Sequence, residues 1–511
     1  MSKFLHSKQP SEIGTTISKK NGIYYIFLAF VLISVIIGNP TIDVLTLVPK
    51  IQSLASRTNT DQLSQPQIPA SNYYDYLPII YKQNHAFYVS LSGSDSNPGT
   101  ITLPWRTIQH AADQALPGDT IYIRGGVYHE AVFTSNGGTE GNPIRFRAYP
   151  GEAPVIDGEG NLPSWSEALF TLYEEADYVE ISGLEIRNST YNGILAWSDY
   201  VSLDNLFIHH TQSTGILVIG NYSTIAHCHV YRTNLNNEYD LLPSNWGAGI
   251  EIAGNSITIP QYGVIRNCTV WENWGEGINT HRSNGVIIED NIVHDSLSAN
   301  IYISDATNTL VQRNFVYLNP DSYIFGYGSQ VGIMMGDESY QPPSANNTII
   351  NNVAYGNNRN FYWWQGSEGG GMINLLIANN TFVNSVGTSG VKFIKPIDDP
   401  SEGSYFINNI IQQDGELPII LVWGVDDPEL HFSNNLWSKT PPSNAAGAND
   451  IIGNPQLVYG DNPFVINWFM LTGLSPAIGG ALPLPDVTLD YFVHIRDSFP
   501  DMGAIEYIPV P

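Results

Sequence analysis

Four residues with side chains that move protons or bind carboxylates stand out in this chain. His281 and Arg282 lie together in GEGINTHRSNGVIIEDN, residues 275–291. Histidine takes up or releases a proton near neutral pH, and arginine can clamp a carboxylate with two hydrogen bonds. Glu251 lies one repeat before this stretch and Tyr302 one repeat after it, both in the position that Asn279 occupies here. His281 would act as base or acid, Arg282 would bind the substrate carboxylate, Glu251 would be the orienting carboxylate and Tyr302 would transfer the second proton. Together these four residues are the minimal set for metal-independent β-elimination.

Hydrolysis of a glycosidic bond needs instead two carboxylates roughly 5–10 Å apart. Glu251 could form such a pair with Asp305 or Asp337. The same two aspartates are candidate calcium ligands, because calcium prefers carboxylate oxygens. A simpler interpretation stays open for each residue, since aspartate at a turn often bonds its own backbone and an outward polar side chain is often only solvated.

These candidates belong to a repeated pattern that begins near residue 176. Each unit has a glycine, alternating apolar residues, a polar turn, a short apolar run, a recurrent asparagine and another short run, as in EGINTHRSNGVIIEDNIV. The apolar runs have the period of a strand, and a repeat of about 22 residues is typical of a solenoid. The recurrent position is assigned to Gly183, Asn205, Cys228, Cys268, Asn291, Asn314, Asn352, Asn380, Asn409 and Asn435.

The pattern predicts an all-β protein, a right-handed parallel β-helix whose coils are stacked ~4.8 Å apart. Asparagines at one place in successive coils can bond up the stack and satisfy buried turn amides. Cys228 and Cys268 occupy this position on adjacent coils. One coil step matches the Cα separation of a disulfide, so a disulfide and a pair of small buried ladder residues both remain open.

Side chains alternate across the strand that follows each glycine, so one row is predicted to point inward and its neighbours outward. The outward residues assigned to substrate binding are Asn279, Trp363, Gln365 and Lys392. Trp363 would offer a flat ring on which a sugar stacks. The Tyr- and Asn-rich insertions 234–246 and 317–330 are predicted to flank this face, because long loops on a regular solenoid often border binding sites.

The ends of the repeat region carry a family resemblance. AFYVSLSGSDSNPGTITLPWRTIQHAADQALPGDTIYIRGGVYHEAV, residues 86–132, resembles the N-terminal cap of secreted pectate-lyase-like β-helix proteins. Within it, RTIQHAADQA is predicted to form a short amphipathic helix that covers the open end of the solenoid. Residues 475–480 and 490–507 are similar to the closing segment of the same proteins.

The resemblance covers residues 86–511 and implies the β-helix fold and export. The superfamily contains lyases, epimerases, hydrolases and members without known activity, so the resemblance alone does not select a reaction. Calcium-dependent lyases of this class carry clustered aspartates on neighbouring coils with a Lys or Arg base. The central strands here have no Asp-x-Asp or Asp-Asp pair, which argues against that mechanism and leaves calcium as a candidate cofactor only.

The chain divides into five predicted regions. A basic tail (1–22) precedes an apolar segment (23–45), interpreted as a signal anchor or a cleaved signal peptide. A linker (46–83) follows. The β-helix is assigned to 84–440, with a cap at 84–160 and coils at 161–440, and the closing segment to 441–511. This order predicts a monomer at the cell surface or outside the cell, held to the membrane only by its N-terminal segment.

The net charge of the chain limits the kinds of partner that it is expected to bind. The net charge of −27 excludes a nucleic-acid backbone and disfavours a polyanionic glycan, so neutral or partly charged sugars fit better. We therefore predict that the protein binds and cleaves an extracellular polysaccharide by β-elimination or hydrolysis. A non-catalytic surface protein for glycan binding or adhesion is the alternative from another class, and an epimerase would share the lyase chemistry.

Overall fold

The computed structural model describes residues 85–164, 167–242, 246–255, 257–338, 344–366, 371–395, 401–425 and 429–509. The predicted tail, membrane segment and linker lie outside these ranges. Within them, no helix has the length and apolar character needed to cross a membrane.

Three parallel sheets run the length of the described solenoid, and each coil contributes one strand to each sheet in turn. Sheet 1 consists of β1 (Ala86–Val89), β2 (Thr120–Ile123), β5 (Ile144–Ala148), β8 (Val179–Ser182), β11 (Ser202–Asp204), β14 (Thr224–Ala226), β17 (Val264–Arg266), β20 (Ile287–Glu289), β23 (Leu310–Gln312), β26 (Thr348–Ile350), β29 (Leu376–Ala378), β32 (Ser404–Ile407) and β35 (Leu430–Ser433). Sheet 2 consists of β3 (Gly126–Tyr128), β6 (Pro154–Asp157), β9 (Glu185–Arg187), β12 (Phe207–His209), β15 (His229–Tyr231), β18 (Thr269–Trp271), β21 (Ile292–His294), β24 (Phe315–Tyr317), β27 (Val353–Tyr355), β30 (Thr381–Val383), β33 (Ile410–Gln412), β36 (Leu436–Trp437) and β37 (Ile451–Ile452). Sheet 3 consists of β4 (Val132–Thr134), β7 (Ala168–Leu172), β10 (Asn192–Ala196), β13 (Ile216–Val218), β16 (Ala248–Ala253), β19 (Glu276–His281), β22 (Ala299–Ser304), β25 (Val331–Asp337), β28 (Arg359–Gln365), β31 (Val391–Ile394) and β34 (Ile420–Trp423).

The core is a set of like residues stacked in register between the three sheets. In sheet 3, the fully buried row runs through Ile194, Ile216, Ile250, Ile278, Ile301, Ile333, Phe361 and Val391. Because side chains alternate across a strand, the residues beside this row point outward. The right-handed β-helix and its inward row are confirmed.

The asparagine ladder at the turn between sheets 1 and 2 is also confirmed. The Asn291 amide donates to Asn314 Oδ1 at 3.0 Å, and the Asn314 amide donates to Asn352 Oδ1 at 2.9 Å. Asn380, Asn409 and Asn435 continue the ladder. Each Oδ1 also accepts the preceding rung's backbone N–H, as Asn314 Oδ1 does from Asn291 at 3.1 Å. Donors that cannot reach water are thereby satisfied.

The ladder assignment is wrong by one residue in its first two coils. The strand register aligns Cys228 with Leu206 and Leu184, because Ile208 pairs with Val230 and with Ile186. Gly183 and Asn205 fall one residue earlier, where the backbone φ values are 75° and 51°. A left-handed backbone favours Gly and Asn, so these residues serve the turn conformation and apolar leucines fill the ladder.

The cysteines are buried free thiols in adjacent ladder positions. The Cys228 N–H points at Cys268 Sγ, 3.4 Å away, and the Cys268 N–H donates to Asn291 Oδ1 at 2.9 Å. The structure therefore shows the ladder interpretation of this pair and not the disulfide.

The two ends of the described region are covered by different kinds of structure. Helix α1 (Ile108–Gln114) is capped by the Thr107 hydroxyl, which accepts the His110 N–H, and it buries Ile108, Ala111 and Ala112 as the predicted plug should. Near the other terminus a 3-10 helix (Ile466–Phe469) and the residues after it pack along the outer face of sheet 2, with Phe469 against Phe315. The outer face of sheet 2 is thereby covered from β24 to β36.

Candidate active site on the outer face of sheet 3

The outer face of sheet 3, here called the groove face, carries three rows of side chains. The first row, at the start of each strand, contains Ala248, Glu276, Ala299, Val331 and Arg359. The central row contains Leu195, Leu217, Glu251, Asn279, Tyr302, Met334, Tyr362 and Lys392. The third row contains Ala253, His281, Ser304, Gly336, Trp364 and Ile394.

Two carboxyl groups lie on neighbouring strands in the middle of this face. Glu251 is half-buried, and burial raises its pKa to about 7 although the Thr214 hydroxyl donates to it at 3.4 Å. Glu276 is 3% exposed, and burial together with repulsion from Glu251 and Glu338 raises its pKa well above the usual value. Its Oε2 accepts a hydrogen bond from the Asn279 amide. The groove therefore favours the protonated form of Glu276, and a second carboxyl group whose pKa is about 7 lies nearby.

A hydrogen-bond network links the other polar residues of the face. The Tyr302 hydroxyl and the Ser304 hydroxyl both donate to Glu338 Oε1, the serine at 3.0 Å. Ser304 Oγ lies 3.3 Å from His281 Nδ1. Burial and the Glu338 carboxylate raise the pKa of Tyr302 well above its ordinary range, so this phenol keeps its proton.

His281 is held in its neutral form. Burial lowers its pKa more than Asp305 and Glu338 raise it. Arg282 follows at the turn with φ 46°, and its Nε is buried without a hydrogen-bond partner among the described residues. A neutral imidazole beside a guanidinium has the chemical character that proton abstraction next to a carboxylate requires.

The structure brings together most of the predicted catalytic residues. Glu251, His281 and Tyr302 share the groove face, together with Asn279, which was predicted as a substrate contact. Asp305 and Asp337 are buried beneath it: Asp305 Oδ1 accepts the Glu338 N–H at 2.8 Å, and Asp337 accepts the N–H groups of Ser344 and Gly371. Both aspartates therefore stabilise backbone turns, and neither stands opposite Glu251 as a second carboxylate.

Two predicted substrate contacts are wrong. Trp363 is fully buried, and its strand partners are Met335 and Phe393, so it packs in the core. Gln365 is 3% exposed and pairs with Asp337. The comparison of repeats within the sequence placed β28 one residue out of register, and a slip of one residue exchanges the two faces of a strand.

The aromatic residues on the groove face are instead Tyr362 and Trp364, both half-buried. They pack with Tyr302 and Met334. The Gly336 position leaves room for them, because a Cβ there would overlap the Tyr302 hydroxyl and lie 3.1 Å from the Trp364 indole nitrogen. The predicted stacking surface therefore exists, with different residues.

Three functional candidates were missed or undervalued in the sequence. Glu276 precedes the bend at Gly277 and so points outward, although simple alternation counted from Ile278 places it inside. Glu338 follows the end of β25 and returns over the face to Tyr302. Ser304 sits in register with His281. The available sequence signal for Glu276 was Gly277 at the second position of β19, because glycine within a strand often marks a departure from regular strand geometry.

The insertions flank the groove face as predicted. A 3-10 helix (Leu235–Asp240) and the loop before β25 meet at Trp274, whose indole N–H donates to the Tyr323 hydroxyl at 2.9 Å. Trp274, Leu297 and Ile324 form a separate apolar cluster there. This cluster holds the insertions against the solenoid at the junction of sheets 2 and 3.

A calcium site does not fit the described residues. In the described ranges, no group of three or more His, Cys, Asp or Glu side chains is arranged to hold a metal ion. Burial also favours the protonated form of Glu276, whereas calcium binds ionised carboxylates.

Comparison with known proteins agrees with this architecture. Residues 87–384 match the family model described as Pel9A-like, right handed beta helix region. The crystal structure of pectate lyase Pel9A superposes with a TM-score of 0.53 at 19% identity, covering 83% of this chain and 96% of that one. This chain belongs to the family of Pel9A-like right-handed β-helix proteins.

Two relatives match a shorter stretch. Pectate lyase PEL9 of Emericella nidulans is 40% identical over 116 residues, which are 20% of this chain and 28% of that protein. An uncharacterized protein of Bacillus subtilis, YwoF, is 43% identical over 102 residues, 20% of this chain and 22% of that protein. The match therefore spans less than a third of either relative.

Proposed function

We propose that this protein cleaves glycosidic bonds of an extracellular polysaccharide on the groove face, with its carboxyl groups acting in hydrolysis. The observation that supports this most is the pair Glu251 and Glu276, two carboxyl groups with raised pKa on adjacent strands. Their strands are adjacent, and the register offsets the two residues by three positions along the strands, but Glu251 is still close enough to raise the pKa of Glu276. The two carboxyl groups of glycosidases are roughly 5–10 Å apart. The similarity to pectate lyases supports a polysaccharide as the substrate.

Glu276 is the general acid in this proposal. Its Oε2 accepts the Asn279 amide hydrogen bond, which leaves the proton of the neutral acid on Oε1. A proton held there can be donated to the oxygen of the bond that breaks. Asn279 positions this group, a role more specific than the direct substrate contact predicted from the sequence.

Glu251 is the second carboxyl group, acting as base or nucleophile once ionised. Its pKa of about 7 means that it is partly ionised at neutral pH, while the surroundings of Glu276 favour the protonated form of that group. A pair of groups whose environments separate their protonation states is the usual arrangement for acid–base catalysis. Glu338, held by Tyr302 and Ser304, provides negative charge that favours the positively charged sugar of the transition state.

β-Elimination is the second candidate, and His281 is the observation that favours it. Its lowered pKa keeps the imidazole neutral and able to accept a proton, and Arg282 beside it could hold a uronate carboxylate. Tyr302 would then donate the proton to the leaving oxygen. The raised pKa of Tyr302 suits a donor and does not suit a base.

The test uses the purified protein with a panel of neutral, partly acidic and fully acidic polysaccharides. Reducing ends and the ultraviolet absorbance of unsaturated uronate products are recorded together. Hydrolysis predicts reducing ends without the absorbance. Growth of the absorbance with reducing ends would support elimination by His281 instead. Binding of a glycan that is never cleaved would contradict both and identify the protein as a surface glycan binder.

A further inference from the structure

A second feature of the groove face lies beyond the carboxyl groups, on β28 and β31. The Arg359 guanidinium carbon and the Lys392 ammonium nitrogen each lie 5.2 Å from the centre of the Tyr362 ring. All three side chains are half-buried on the same face. Two cations thus converge on one ring.

Neither cation has an acidic partner in the part of the chain that the structure describes. Among the described residues, no ion pair includes Arg359 or Lys392. The guanidinium donates one hydrogen bond, from Nε to the Thr388 hydroxyl at 3.0 Å, which leaves its terminal N–H groups for other acceptors. In a chain with 48 acidic and 21 basic residues, two adjacent unpaired cations are an unusual local excess of positive charge.

The arrangement is costly without a bound anion. Burial lowers the pKa of Arg359, and burial together with the Arg359 charge lowers the pKa of Lys392. The Tyr362 ring offers each cation a modest attraction of about 0.5–2 kcal/mol but no counter-charge. An anionic group placed between the two cations would relieve their repulsion and use the free N–H donors.

The position of this pair relative to the carboxyl groups defines a charge pattern along the face. Tyr362 is two strand steps from Tyr302, or ~10 Å. Glu251, Glu276 and Glu338 lie on the Tyr302 side. A substrate that follows the solenoid axis therefore meets acidic side chains at the proposed cleavage site and cationic side chains farther along.

We infer that Arg359 and Lys392 form a subsite for the carboxylate of a uronic acid sugar, while the sugars at Glu251 and Glu276 are neutral. The substrate is then a heteropolysaccharide with spaced acidic sugars, and a polymer of uronates alone is disfavoured because it would bring carboxylates against Glu338. Tyr362 supplies the ring against which the acidic sugar packs. This inference rests on the proposed function for the location of cleavage.

The experiment compares glycans that differ only in charge. Glucuronoxylan oligosaccharides, in which uronates are spaced along a neutral chain, are used before and after chemical reduction of their carboxyl groups, and polygalacturonate oligosaccharides represent the all-uronate case. Binding is measured by calorimetry and cleavage by reducing ends, for the wild type, Arg359→Gln and Lys392→Gln. Arg266→Gln, an exposed cation on sheet 1, is the control.

Each cation variant should bind the acidic oligosaccharide about 10- to 100-fold more weakly, the range for hydrogen bonds to charged groups. Binding of the carboxyl-reduced form should change less than about twofold. Arg266→Gln should match the wild type in both. Thermal unfolding of each variant shows whether it is folded.

Equal effects of the variants on charged and reduced oligosaccharides, or no charge-dependent binding by the wild type, would overturn the uronate subsite. Tighter binding of polygalacturonate than of glucuronoxylan would overturn the neutral cleavage site. Cleavage without charge-dependent binding would leave the proposed function standing and remove only this inference. Charge-dependent binding without cleavage of any oligosaccharide would support the uronate subsite and contradict the proposed cleavage.

Discussion

Replacing Glu251 by glutamine removes a carboxyl group whose pKa the groove raises from 4.5 to about 7. In the unfolded chain this group loses its proton at lower pH than in the folded protein. Stability is therefore complete below about pH 4.5 and is lost as the pH rises toward 7. The glutamine variant has no proton to lose at this position.

The size of the effect follows from the shift. Each unit of pKa difference corresponds to about 1.4 kcal/mol, so Glu251 should reduce the free energy of unfolding by about 3 kcal/mol between pH 4.5 and 8. Glu251→Gln should lack this loss and be the more stable protein at pH 8. Glu276 shifts in the same direction, so the double glutamine variant should gain further.

The measurement is urea unfolding of wild type and Glu251→Gln across this pH range. Glu416→Gln, which changes an exposed carboxyl group on a distant coil, is the control and should follow the wild type. A wild-type curve and a Glu251→Gln curve that stay parallel from pH 4.5 to 8 would refute the assignment of a desolvated carboxyl group in the groove.

Three further comparisons of variants test separate parts of the structure. Gly336→Ala should displace the Tyr302 hydroxyl from Glu338, so its turnover should match that of Tyr302→Phe, and a double variant that loses much more would contradict this. Trp363→Ala should cost about 3–5 kcal/mol of stability in urea unfolding because the ring is buried. Trp364→Ala should mainly weaken glycan binding, by about tenfold in calorimetry. The reverse pattern would mean that Trp363, as predicted from the sequence, is the residue on the groove face. Asn314→Ala should lower the free energy of unfolding by about 2–5 kcal/mol, because it leaves ladder donors such as the Asn291 N–H unpaired; a loss below 1 kcal/mol would mean that the ladder is solvated.

Most of the fold could be predicted because the same sequence pattern recurs from coil to coil. Most coils share a glycine, apolar alternation and a turn asparagine, so the inward isoleucine row and the ladder from Asn291 to Asn435 can be predicted from the sequence. Errors arose where one coil replaced the common residue. Leu184 and Leu206 occupy the ladder in place of a polar residue, whereas the residues before them, Gly183 and Asn205, match the repeat pattern but serve the turn.

The site was harder to predict because its contacts depend on bends and loop returns. Glu276 faces the groove only because the chain bends at Gly277, and Glu338 reaches Tyr302 only because the chain turns back after β25. The strand RNFYWWQ offered several aromatic residues in succession, and a register error of one residue exchanged Trp363 for its neighbours. Strand periodicity contains no information about such local departures.

The most direct test of the proposed hydrolysis is the activity of Glu276→Gln on a glycan that the wild type cleaves. Glutamine keeps the shape and can still accept the Asn279 hydrogen bond, but it has no proton to donate to the leaving oxygen. The rate of reducing-end release should fall by about 100- to 10,000-fold, the usual contribution of a general acid, while the affinity for the glycan is retained. Turnover within tenfold of the wild type would contradict the assignment of Glu276 as the acid and the groove carboxyl groups as the catalytic centre.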